Sequence, residues 1–271
     1  SHLTAERAGE LLGVSAGDVV VCSTGLIGTG DEVFRGKVLA GVEAGVAQLS
    51  ADGGQAAAEA IMTTDTVAKT VAVTRDGWTI GGMAKGAGML APGLATMLVV
   101  LTTDAVLDAA EAHALLRRAT GTTFDRLDSD GCMSTNDQVT LLANGASGIR
   151  PDLDDFAAAL TEVSDELARK LQDDAEGASH AISIEVRHAA SEQDAVEVGR
   201  AVARNNLFKA AIFGNDPNWG RVLAAIGTTR AAFDPYDVDV WMNGVRVCTA
   251  GGPDRPREEV DLTPRATHVV I

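Results

Sequence analysis

With 271 residues, 46% of them hydrophobic, the chain holds enough apolar side chain for one large or two small globular domains. Its 22 basic and 38 acidic side chains leave a formal net charge of −16, a field that repels phosphate backbones and anionic bilayers, so no nucleic acid and no membrane is expected as a partner. Aromatics are few at 4%, and 29 glycines accompany abundant Ala, Val and Leu, a balance suited to an α/β protein with close helix-sheet packing.

Cys22, Cys132 and Cys248 are widely spaced and form no Cys-x-x-Cys pair, so they read as reduced, buried thiols of a cytoplasmic protein. No run approaches the roughly 18 apolar residues of a membrane span. The opening Ser1-His-Leu-Thr-Ala-Glu-Arg7 lacks a basic-then-apolar leader pattern.

Leu3 to Leu12 has helical spacing and stops at Gly13. Asp18 to Ser23 predicts a short buried strand that runs into Thr24-Gly-Leu-Ile-Gly-Thr-Gly30, a glycine-rich end whose backbone N–H groups suit either a plain turn or an oxyanion site. Val38, Val42, Val46 and Leu49 predict an amphipathic helix over 32–50, covering the sheet, and a short helix follows over 55–62. Lys69 to Thr74 and Trp78 to Gly82 predict a hairpin around Arg75-Asp76-Gly77, delivering Lys85 to the following loop.

Gly82-Met-Ala-Lys-Gly-Ala-Gly-Met-Leu-Ala-Pro-Gly-Leu-Ala-Thr96 leads from loose backbone into an apolar strand expected to begin at Thr96. A hydroxyl at such a junction is well placed for a nucleophile, and its own α-amino group is a ready base once the Ala95–Thr96 bond is cut. Threonine is also common at the start of an ordinary strand. The glycine spacing does not fit a phosphate loop, so nucleotide binding is excluded.

Farther on, Asp108 and Glu111 form a variant capping box for a helix to about Ala119. The polar run Gly131 to Asp137 fits a turn or a buried polar network, ahead of the apolar run Val139 to Ala143. The clearest helix spans Pro151 to about Ala175, with Leu153, Phe156, Leu160, Val163, Leu167 and Leu171 on one stripe and Gly177 as its stop. Glu176 at its end opposes the helix dipole, which points to a cationic partner or to an exposed end residue.

Ala181 to Arg187 alternates as a strand, and Ser191 caps a helix over 192–206. Asp216 is the expected cap of the next helix, with Pro217 at its first position. Asn243-Gly244 joins two strands, Val238 to Met242 and Val245 to Cys248, and a loop over 252–258 follows. The end at His268-Val-Val-Ile271 lies within an expected strand, which suggests that the natural protein is longer. Five scattered histidines give no metal-binding spacing, and no Gly-x-Ser-x-Gly elbow is present.

Seven blocks in order carry a resemblance: Cys22-Ser-Thr-Gly-Leu-Ile-Gly28, Ile61-Met-Thr-Thr-Asp65, Gly82 to Pro92, Leu94-Ala-Thr-Met-Leu98 with Thr102-Thr-Asp-Ala105, Ser134-Thr-Asn-Asp137, Asp174-Ala-Glu-Gly177 and Gly214-Asn-Asp-Pro-Asn-Trp-Gly-Arg221. With them the chain resembles the ornithine acetyltransferase (glutamate N-acetyltransferase) family over nearly its whole length. The resemblance implies an α/β fold of layered sheets flanked by helices, the N-terminal-nucleophile-like DmpA/ornithine acetyltransferase type. It implies self-cleavage between Ala95 and Thr96, so that 1–95 is the C-terminal part of an α chain and 96–271 a β chain, truncated at its own C-terminus, and the two fold as one body.

It further implies that Thr96 takes the acetyl group of N-acetylornithine and passes it to glutamate by a ping-pong route. Thr24 and Gly25 match the oxyanion pair, and Thr63, Lys85 and Glu176 match substrate-binding positions. Lys85 suits an α-carboxylate and Glu176 a substrate ammonium. No cofactor is implied, acetyl-CoA being a further possible donor, and the fragments are expected to assemble as a homo-oligomer of heterodimers.

Two departures stand out. The family's chains carry a long segment ahead of the point where this sequence starts and a C-terminal stretch whose Asn and Ser help bind substrate, and Gly93 replaces a frequent asparagine beside the scissile bond. Rival readings are an N-terminal-nucleophile amidase or aminopeptidase, a relative using other acyl donors in secondary metabolism, and a catalytically silent binding protein of the same fold.

Overall fold

Asp76 and Gly77, at φ of 27° and 87°, turn the chain between β1 (Lys69–Arg75) and β2 (Trp78–Lys85), so the Asp-Gly signal gives the hairpin expected of it. In the computed structural model, which describes residues 1–26, 28, 30–91 and 97–271, this hairpin opens a four-stranded sheet of order β1-β2-β3-β4. β3 (Leu98–Thr103) lies antiparallel to β2, and β4 (Gln138–Ala143) lies parallel to β3 after a crossover through helix α1 (Ala109–Thr122). The Asp108–Glu111 capping box opens that helix with both of its hydrogen bonds made.

Helix α2 (Leu153–Asp173) lies across β1 and β2 and buries Phe156, Leu160, Val163, Leu167 and Leu171 completely. Each such side chain contributes on the order of 1.5–3 kcal/mol on leaving water. Gly82 permits this close approach. A Cβ there would stand 2.7 Å from Leu101 Cδ2 and 2.9 Å from Leu167 Cδ1. Trp78 closes the core against Phe156, ring centroids 5.2 Å apart.

The second sheet has the order β5-β9-β6-β7-β8, from β5 (Ala181–Glu185), β6 (Val240–Met242), β7 (Val245–Thr249), the short β8 (Gly252–Pro253) and β9 (Ala266–Val270). Asn243 and Gly244, at φ 45° and 84°, make the expected hairpin turn. Its core is filled by Val198 and Val202 of α3 (Glu192–Arg204), Phe208 and Ile212 of α4 (Asn206–Phe213), and Val222 and Ile226 of α5 (Trp219–Ile226).

Ahead of the first sheet come three further helices: αA (His2–Leu12), closed by Gly13 in the left-handed region, αB (Glu32–Ala47) and αC (Gly54–Ala60). Several expectations need correcting. Asp18 to Ser23 is not a buried strand: Ala16–Asp18 forms one 3-10 turn, and the residues after it have no ladder partner among the described residues, Val20 being 58% exposed. β-propensity without a neighbouring edge does not make a strand. αB forms, capped by Asp31, yet it packs on αA instead of covering the sheet, leaving Val33, Phe34 and Val38 exposed. Helical spacing reports a period and not a partner.

The helix expected over 192–206 stops at Arg204, because Asn205 is extended and its side chain accepts the Phe208 N–H at 2.9 Å, capping a separate helix that the sequence reading missed. Asn218, not Asp216, caps α5 by accepting from the Arg221 N–H, so Pro217 precedes the cap. The loop expected over 252–258 holds the two residues of β8 and the start of a 3-10 turn. Of the three free thiols, Cys248 is buried and Cys22 half-buried, but Cys132 is exposed.

Candidate active site

β2 runs three residues beyond its expected end and closes on Lys85, which is therefore a strand residue standing opposite Leu98 in the ladder. Thr96, the candidate nucleophile, and Ala95 lie outside the described residues, as does the strand start expected there. Their neighbour Met97 is described. Its N–H donates to Asp137 Oδ1 at 3.0 Å and its carbonyl accepts the Gln138 N–H at 3.0 Å, which brings the end of the 131–137 segment against the start of β3.

The same segment reaches the expected oxyanion pair. Asn136 Nδ2 donates to the Ser23 carbonyl at 2.9 Å, immediately before Thr24 and Gly25. Thr24 is half-buried and Gly25 exposed, on backbone outside any strand among the described residues instead of the expected strand end. Ser134-Thr-Asn-Asp137 is thus both a turn, with Ser134 Oγ accepting the Asn136 N–H, and a polar network. Burial pushes the Asp137 carboxyl above its ordinary range, against the pull of the Met97 N–H and the Lys85 charge. Among the described residues its Oδ2 has no hydrogen-bond partner.

The three expected substrate positions are gathered by a buried ion cluster. Lys69, fully buried, places Nζ 2.6 Å from Asp65 Oδ1, 2.6 Å from Asp174 Oδ2 and 3.3 Å from the Val67 carbonyl, so its three donors meet three acceptors. Asp65 Oδ1 also accepts the Gly86 N–H at 2.7 Å, next to Lys85, and its Oδ2 accepts the Thr63 N–H at 3.1 Å. Asp174 accepts the backbone N–H of Thr66 at 2.9 Å and also its hydroxyl. Two residues on, the Glu176 N–H donates to the Ala87 carbonyl at 2.7 Å.

Glu176 and Thr63 are exposed, whereas Lys85 is 1% exposed. A Cβ on Gly88 would stand 3.3 Å from a Glu176 carboxylate oxygen, so glycine leaves room for that carboxylate beside the strand exit. Burial holds the Lys85 amine below the usual lysine range, with Asp65 and Asp137 opposing the shift and Lys69 adding to it. For Asp65 and Asp174 burial acts upward, but the Gly86 N–H, Lys69 and the Thr63 N–H on the first, and Lys69 and Thr66 on the second, outweigh it. Both stay below the ordinary carboxylate value.

The sequence reading missed Asp65, Lys69 and Asp174 as builders of the site. Asp65 and Asp174 close and open two of the motif blocks, and a lysine heading the β-rich run Lys69 to Thr74 was the remaining signal. No group of three or more candidate metal ligands occurs among the described residues.

Comparison with known proteins rests on this geometry. The ArgJ family model matches residues 1–271. The chain belongs to the ArgJ family. It is 60% identical to the arginine biosynthesis bifunctional protein ArgJ of Streptomyces coelicolor over 270 residues, covering 100% of this chain and 70% of that one. The ArgJ of Thermobifida fusca is 59% identical with the same coverage. The crystal structure of ArgJ from Bacillus halodurans superposes with a TM-score of 0.58 at 31% identity, over 64% of this chain and 86% of that one. The family read from the seven sequence blocks and the α/β fold of sheets flanked by helices are therefore borne out. No helix among the described residues is long and apolar enough to cross a membrane.

Proposed function

We propose that this ArgJ chain transfers an acetyl group from N-acetylornithine to glutamate in arginine biosynthesis, through an acetyl ester on Thr96. The Thr96 hydroxyl attacks the acetyl carbonyl, its proton passing to the free α-amino group of the same residue. The amide C–N bond breaks and ornithine leaves with that proton. The amine of glutamate then attacks the ester, giving N-acetylglutamate and restoring the hydroxyl. Thr24 and Gly25 stabilise the oxyanion in both halves, Lys85 receives the α-carboxylate, Glu176 the side-chain ammonium, and Thr63 completes the pocket. Acetyl-CoA is a second possible donor, and no cofactor is needed.

The observation that carries this reading is the convergence of Thr63, Lys85 and Glu176 on the 85–88 strand exit, beside the Leu98 end of β3. Opposite charges at that exit suit an amino acid bearing one carboxylate and one ammonium. Cleavage ahead of Thr96 would leave 1–95 and 96–271 joined, because β2 and β3 remain hydrogen-bonded from Ile80↔Thr103 to Lys85↔Leu98. The assembly we envisage is an oligomer of such heterodimers. Free thiols at Cys22, Cys132 and Cys248 support a reducing, cytoplasmic setting.

Intact mass of the denatured protein, before and after brief exposure to N-acetylornithine, tests the proposal. Two fragments divided ahead of Thr96, with the fragment beginning at Thr96 gaining one acetyl group, are expected. A single uncut mass that gains nothing would overturn it.

A further inference from the structure

Lys69 lies in none of the motif blocks and has no part in the chemistry proposed above, yet each substrate-binding position stands within two residues of one of its partners or of a residue hydrogen-bonded to one. Thr63 is two residues before Asp65 and gives it an N–H. Lys85 adjoins Gly86, which gives Asp65 a second N–H. Glu176 is two residues after Asp174 and is tied to the strand exit through Ala87. The ammonium of Lys69 joins Asp65, four positions before it, to Asp174, 105 positions after it, and Asp174 is fixed again by Thr66.

We propose that the Lys69–Asp65–Asp174 cluster is a positioning device that sets the separation of Lys85 and Glu176, and through it the chain length of the acylated diamino acid the site accepts. Resting on the acetyl-transfer reading, this assigns Lys69, Asp65, Asp174 and Thr66 to specificity. The α-carboxylate and the distal ammonium of such a substrate are held apart by its methylene chain. Two charged receptors on separate segments, Lys85 at the end of β2 and Glu176 after α2, discriminate that length only if the segments keep a fixed spacing. A buried lysine with all three donors met supplies it, because moving either segment away from the cluster would break a desolvated ion pair or a hydrogen bond to it.

The test compares Nα-acetylornithine with its homologues one methylene shorter and one longer, Nα-acetyl-2,4-diaminobutyrate and Nα-acetyllysine, as donors to glutamate. One methylene is commonly worth ~10–200-fold in kcat/KM, and the unaltered enzyme is expected to show a preference of that order. Lys69→Met leaves two carboxylates buried without their counter-ion and is expected to impair folding. Asp174→Asn keeps the shape and one acceptor oxygen for Thr66, its amide nitrogen being left to donate, while removing one ion pair, and Thr66→Val removes only the hydroxyl contact.

In Asp174→Asn the preference should narrow by about tenfold, mainly through a raised KM for Nα-acetylornithine, with a smaller narrowing in Thr66→Val. If Asp174→Asn does not fold, judged by its melting transition, the Thr66→Val ratio alone decides. Lower rates on all three donors with an unchanged ratio would overturn the inference and leave the cluster a structural element. Failure of the unaltered enzyme to transfer from any of the three donors would instead overturn the acetyl-transfer reading.

Discussion

The proposed substrate end of the site is anchored by a desolvated ion cluster, with Lys69 between Asp65 and Asp174, whereas beside the proposed nucleophile the side-chain contacts among the described residues are the hydrogen bond that Asn136 donates to the Ser23 carbonyl and the one that Asp137 accepts from the Met97 N–H. The first is formed by charged groups that are buried and paired; at the second, Asn136 is exposed and one oxygen of Asp137 has no partner among the described residues. The difference matches what each end has to do. A binding pocket gains from receptors whose spacing is fixed in advance, because ordering them on binding would cost affinity. If, as proposed, the peptide bond ahead of Thr96 opens, the two new chain ends must be free to part.

Removing the nucleophile breaks this contrast most completely. Thr96→Ala should abolish both cleavage and transfer while the Lys69 cluster keeps the chain folded, and gel analysis with a transfer assay checks it; full transfer in that variant would sink the mechanism. Thr24→Ala should cost about 10²–10³ in kcat, the usual loss for one oxyanion donor, with KM for N-acetylornithine little changed.

Glu176→Gln acts at the opposite end. It should raise KM for N-acetylornithine by roughly tenfold, the order of one charge-assisted hydrogen bond, and slow self-cleavage far less. Equal losses in both would show that Glu176 serves the nucleophile instead.

The smallest expected effect is one of pH. Lys85 must carry its charge to hold a carboxylate, and burial lowers its pKa. As pH rises through that lowered value the ammonium is lost, so KM should climb at a pH below the ordinary lysine value of about 10.4, while kcat changes less. A KM flat through pH 10 would show that Lys85 does not bind the carboxylate.

Much of the fold could be read from local signals. The stripe from Leu153 to Leu171 and the Asp76-Gly77 turn are legible because the features that specify them sit within a few residues of one another. The cap at Asn205 is hard to see in the sequence because the polar stretch Arg204-Asn-Asn206 reads as readily as the end of one helix as it does as the start of another. The face αB presents, and the lack of a ladder partner for 19–23 among the described residues, depend on which surfaces lie nearby, which spacing does not encode. The site divides in the same way. Thr63, Lys85 and Glu176 came from the motif resemblance and are brought to one strand exit. Their shared support escaped notice, because Lys69 and Asp174 meet only in the folded chain.

The antiparallel pairing of β2 with β3 has a consequence for the lifetime of the enzyme. Before cleavage the two strands are joined by a short connection, so their meeting is an intramolecular closure with a small entropic cost. After cleavage the same pairing, once lost, can be regained only by the encounter of two separate polypeptides, at a rate that depends on their concentration. With the proposed cleavage, the chain would fold as one molecule and could not easily repeat the process thereafter. Its persistence would then be governed by how slowly it unfolds and not by how readily it refolds. Dilute refolding should separate the two forms, with uncut Thr96→Ala recovering independently of concentration and the cleaved enzyme recovering less the more it is diluted.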